Sequence, residues 1–161
     1  MAIDAKTLVS GPGTGFPGYC TGSAFDGVWL WMASQSGRLV SVRASDGQIG
    51  VSQPLSFMPG GVVFDGIDLW VGDLTNCRVV KYDPSGTGLD QYAAGTPPKQ
   101  MLFDGSNIWV ASDLGSTVSK LRVSDGSLVG TFMTDQGPSS MVFDGINVWI
   151  ASRASSSIRR L

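Results

Sequence analysis

Short runs of apolar residues, each ended by a turn, fill most of the 161-residue chain. Residues 101–132 show the unit. Met101-Leu102-Phe103 is apolar, Asp104-Gly105 supplies turn chemistry, and Asn107-Ile108-Trp109-Val110-Ala111-Ser112 is a β-branched and aromatic run. Leu114-Gly115-Ser116 turns again, and Thr117–Val123 alternates with the period of two that one sheet face requires. After Ser124-Asp125-Gly126 comes a fourth run, Ser127–Phe132. Four strands joined by three tight turns predict an antiparallel meander. No segment sustains a helical period, so helix is expected to be nearly absent.

The unit recurs. Phe-Asp-Gly stands at Phe25, Phe64, Phe103 and Phe143, spaced 39, 39 and 40 residues apart, and each copy leads to a tryptophan: Trp31, Trp70, Trp109 and Trp149. Asp46-Gly47 and Pro84-Ser85-Gly86 take the place of Asp125-Gly126. Pro59, Pro98 and Pro138 each precede the next phenylalanine by five residues and mark crossovers between units. A forty-residue meander that buries its apolar faces only against its neighbours is a β-propeller blade. The expected fold is all-β: one propeller domain over 1–161, with four blades of four antiparallel strands at about 21–58, 59–97, 98–137 and 138–161. The fourth copy ends in its third strand, and residues 4–9 resemble an outer strand (124–129), so the N-terminal strand is expected to pair with 157–161 and close the ring. A ring of eight blades from two copies is the competing geometry.

Composition narrows the chemistry. Charged residues are 15%, net charge is −2, and all 13 acids are aspartate, which favours turns over helices. No basic run exceeds Arg159-Arg160, which argues against nucleic-acid binding. No apolar stretch reaches the length of a membrane span, and the first residues do not read as a signal peptide. Cys20 and Cys77 hold non-equivalent repeat positions and are expected to be buried free thiols, a bridge between them being the alternative. The chain has no histidine, hence no Ser-His-Asp triad and no imidazole base. No enzyme activity and no cofactor are expected.

Asp26, Asp65, Asp104 and Asp144 could form a carboxylate ring for a hard cation, but the glycine after each favours plain turn formation, and no metal is expected. Trp31, Trp70, Trp109 and Trp149 are expected to pack between blades. Trp29 has polar equivalents in Asp68, Asn107 and Asn147; with Tyr19, in a short insertion near the seam (18–22), it is the first candidate for an asymmetric contact. Phe57, Tyr92 and Phe132 are candidate rim contacts. Arg38, Arg43, Arg78, Lys81, Lys120, Arg122, Arg159 and Arg160 fall on third strands, where they are expected to solvate the outer side of the ring.

The run Phe-Asp-Gly-x-Asn-x-Trp-Val-Ala-Ser at 103–112 resembles the repeats of YVTN and NHL-like bacterial and phage propellers, over nearly the whole chain. The repeat texture is also similar to the streptogramin lyase propeller, whose histidine base has no counterpart here. The resemblance implies a rigid binding or assembly platform, with a virion, as capsid decoration or tail component, the favoured location. The expected partner is a protein assembly. Carbohydrate recognition through Trp29 is the alternative, and a lyase ranks last.

Overall fold

A computed structural model describes residues 18–112, 114 and 116–161. Among them are fifteen strands and no helix, hence no helix able to cross a membrane. Blade 1 comprises β1 (Cys20–Phe25), β2 (Trp29–Ser34), β3 (Arg38–Arg43) and β4 (Ile49–Pro54), hydrogen-bonded in that order. Blade 2 repeats the meander with β5 (Pro59–Phe64), β6 (Leu69–Asp73), β7 (Arg78–Tyr82) and β8 (Gly88–Ala93). Blade 3 has β9 (Gln100–Phe103), β10 (Asn107–Ser112), β11 (Thr117–Arg122) and β12 (Leu128–Met133). Blade 4 shows β13 (Pro138–Phe143), β14 (Val148–Ser152) and β15 (Ser157–Arg160). The architecture is that of a four-bladed β-propeller. The strand expected at residues 4–9 lies outside the described residues.

The second strand of each blade carries the packing, because its residues alternate between two neighbours. Leu69 and Val71 face back to blade 1, joining Trp31, Ala33 and Leu39 in one buried cluster. Trp70 points the other way, into a cluster with Ile108 and Val110 of blade 3. Trp109, Ala111 and Val118 then meet Val148 and Ile150 of blade 4. Burying a tryptophan removes about 200 Å² from water, roughly 5 kcal/mol as an upper figure. These three inter-blade clusters are the hydrophobic core.

The inner strands of blades 1 and 2 approach their neighbours so closely at two glycines that a side chain is excluded there. A Cβ on Gly22 of β1 would stand 2.6 Å from the Val62 amide nitrogen, and one on Gly60 would stand 2.1 Å from the Pro98 carbonyl oxygen. The register corrects one expectation at the seam. Cys20 pairs with Ser34 just as Pro59 pairs with Asp73 and Pro138 with Ser152, so Cys20–Gly22 are strand and not inserted loop. Tyr19 sits just before β1 and is exposed. Against the expected burial, Cys20 is exposed and Cys77 half-buried, and both are free thiols.

Candidate functional site

Each Phe-Asp-Gly turn is an anchor for the tryptophan five residues on. Asp26 Oδ1 accepts the amides of Val28 and Trp29 at 2.8 and 2.7 Å, while Oδ2 accepts the Trp31 indole N–H at 2.7 Å. Asp65 does the same for Ile67, Asp68 and Trp70. Asp104 holds Ser106, Asn107 and Trp109, and Asp144 holds Ile146, Asn147 and Trp149. Every indole distance is 2.7 Å. One oxygen closes the turn and the other orients the indole, which in blades 1 to 3 fills the space before the next blade. Trp149, expected to pack in the same way, is instead exposed because no buried cluster among the described residues receives it. Both oxygens are therefore engaged in all four blades. Among the described residues no group of three His, Cys, Asp or Glu side chains comes together as metal ligands.

Electrostatics follow from this bonding. Burial pushes the Asp26 and Asp104 carboxyls up, but the turn amides and the indole outweigh it and hold both below the usual aspartate range. The Asn147 amide, with the Trp149 indole and the Ile146 amide, depresses Asp144 strongly.

Lys81, Lys120 and Arg160 of the third strands lie across the indoles instead of solvating the outside, which corrects the expectation for these three. Lys81 Nζ is 5.3 Å from the Trp70 ring centre, Lys120 Nζ 4.6 Å from that of Trp109, and the Arg160 guanidinium carbon 5.9 Å from that of Trp149. Lys81 also pairs with Asp68 at 2.8 Å. Arg78 pairs with the fully buried Asp73, whose other bonds come from Thr75 and Asn76.

Blade 1 breaks this pattern, and Trp29 is the reason it can. Opposite Trp31 stands Ser41, where the other blades have Lys81, Lys120 and Arg160. Trp29 shares that face, and its ring lies against Gly50: a Cβ there would be 2.6 Å from Trp29 Cζ3 and 2.9 Å from Ser41 Oγ. Arg43 covers it at 5.3 Å. Trp29 is thus half-buried packing that replaces a missing lysine. Phe57 is buried between blades 1 and 2, not at the rim. Tyr92 stacks on Trp70 with ring centres 5.2 Å apart, and Phe132 leans on Trp109 at 5.6 Å. Of the contact candidates Tyr19, Trp29, Phe57 and Tyr92, Tyr19 alone stands free of the blade packing.

The concave surface that the sequence did not disclose lies at the blade ends opposite the Asp-Gly turns. A hollow of about 480 Å³ is lined by Thr21 and Gln35 of blade 1, Met58, Leu74 and Pro97 around blade 2, and Lys99 and Leu114 of blade 3. A smaller one, about 140 Å³, continues it past Lys99 to Ser139 and Arg153. Apolar side chains form most of the floor, two cations rim it, and the described lining residues include no acid, cysteine or histidine. Such a surface can hold an apolar or acidic segment of a partner.

No protein-family model matches the chain, and no curated protein matches it. Solved structures do. The computationally designed Ika4 protein is 12% identical over 92% of this chain and 93% of its own, with a TM-score of 0.78. Hydrazine synthase of Kuenenia stuttgartiensis is 18% identical, with 99% of this chain superposing on 49% of that one at a TM-score of 0.78. The designed Ika8 protein is 12% identical over 88% of this chain and 45% of its own, at a TM-score of 0.73. The chain therefore spans about half the length of two of these. At such identities the likeness establishes the blade architecture and carries no activity with it.

Proposed function

We propose that this chain is a non-enzymatic interaction module that presents the hollow at its blade ends to a protein partner within a larger assembly. The observation that carries this reading is where the chemistry has gone. The four repeated carboxylates are consumed in holding the tryptophans, while Met58, Leu74 and the exposed Leu114 converge on a rimmed apolar surface. A stiff frame with an unrepeated concave face suits binding by shape. The likeness in repeat texture to virion propellers supplies the favoured assembly, a phage particle on which the chain is a decoration or tail component. The carbohydrate alternative has less support, since Arg43 and the Gly50 strand occupy the Trp29 ring.

The test is occupancy on the parent particle. The purified chain should bind in fixed stoichiometry, and Leu74→Asp with Leu114→Asp should remove it while leaving the fold intact by circular dichroism. Binding indifferent to both substitutions would refute the assignment of the hollow.

A further inference from the structure

The two ends of the blade series carry the two halves of one interface. In blades 1 to 3 the anchored tryptophan enters the next blade and is sealed: Trp31, Trp70 and Trp109 are 1%, 0% and 6% exposed. Their equivalent Trp149 is 36% exposed. Around it the register places Val142 opposite Trp149 and Ile158 opposite Ala151, all on one face. Ile158 is 74% exposed, whereas Leu39, Val79 and Val118, in the same register position, are wholly buried. Together with Ser140 these residues line an apolar hollow of about 290 Å³.

The receiving half stands on blade 1. In the built interfaces the tryptophan meets Leu69 and Val71, Ile108 and Val110, or Val148 and Ile150, all buried. Register makes Leu30 and Met32 the blade 1 counterparts. Leu30 is 42% exposed, and among the described residues no buried cluster joins blade 4 to blade 1.

We infer that these faces are closed by a second copy of the chain, blade 4 of each copy packing on blade 1 of the other, to give an eight-bladed ring. The chain's own three interfaces argue for this occupant. They already show that a face of the Trp149 type fits a face of the Leu30 and Met32 type, and the free pair continues that series. An interface between unlike faces closes when the rotation permits and otherwise polymerises. Two copies are the closing number suggested by scale, because the four blades superpose on just under half of two longer chains.

The experiment is light scattering after size exclusion on the full chain at tens of micromolar, with two substitutions chosen outside the Asp–Trp anchors. The wild type is expected at twice the 16.9 kDa chain mass. Ile158→Asp and Leu30→Lys are each expected at the single-chain mass, their association weakened by roughly a hundredfold, since each places an unpaired charge in a desolvated patch. Mixed one to one they should return to the double mass. That pairing has one native interface and one in which the new aspartate faces the new lysine. Circular dichroism confirms that each variant is folded. A wild type at single mass overturns the inference, its ends then being closed within the chain. So does a mass of three or more copies, a dimer that ignores both substitutions, or a mixture that stays monomeric.

Discussion

Asp104→Ala isolates what the turn aspartates do. Asp104 Oδ2 accepts the indole N–H of Trp109 at 2.7 Å, and Trp109 is nearly sealed between blades 3 and 4. Removing the carboxylate strands a buried donor, a loss of about 1.5–3 kcal/mol for a bond to a charged group. The Ser106 and Asn107 amides also lose their acceptor, but they lie at an accessible turn where water can replace it. About 1 kcal/mol covers them. The sum is about 3 kcal/mol, and a domain of this size loses about 2–4 °C of melting temperature per kcal/mol, so the midpoint should fall by roughly 6–12 °C. Asp104→Asn keeps one acceptor and should fall about half as far. The assay is calorimetry at fixed protein concentration, with Trp109→Phe and the double variant completing a cycle. Coupling of about 1.5–3 kcal/mol is expected between the two positions. A midpoint within about 1 °C of wild type, or strictly additive single changes, would show that the indole bond is incidental.

Further outcomes follow from the same geometry. Asp144→Ala should cost less than Asp104→Ala in the unassociated chain, because its indole is partly exposed; equal losses in the same calorimetry would contradict this. Asp26, Asp73, Asp104 and Asp144 all lie below the usual aspartate range, so the unfolded chain takes up protons first as pH falls. The melting temperature should hold from pH 7 to about 5 and drop below about 4, and a drop beginning near neutrality would be inconsistent with aspartates as its source. Gly72→Ala would set a Cβ 2.3 Å from the Pro98 carbonyl oxygen and should destabilise by about 1–3 kcal/mol in denaturant titration, although Ala33 and Ala111 hold the same position in blades 1 and 3. Trp29→Asn and Ser41→Lys should each destabilise alone, and together cost about 1 kcal/mol less than their sum, because the pair rebuilds the arrangement of Asn107 and Lys120; simple additivity would separate them.

The blades were legible because their cause is local. Turn glycines, period-two runs and a forty-residue spacing are all written in consecutive residues, and they place the described strands apart from the start of β1, which was read as an insertion. The Asp–Trp anchor was visible as spacing, five residues in every copy, yet the turn already explained the aspartate and left its second oxygen unassigned. Only the sheet shows that a twisted β2-type strand carries the indole back to that oxygen. Trp29 was read as a partly exposed contact because its equivalents are polar, and Phe57 as a rim contact because it follows an outer strand. Each fills a gap that another blade fills differently, and that depends on neighbours distant in sequence. The hollow draws on unlike residues from three blades, so no motif announces it.

Small-angle X-ray scattering of the full chain tests most directly whether the four blades are half of a ring. A closed pair of chains should have a radius of gyration near or somewhat above ~20 Å by the scaling for compact proteins. A value near ~15 Å, expected for one compact copy, would contradict the account.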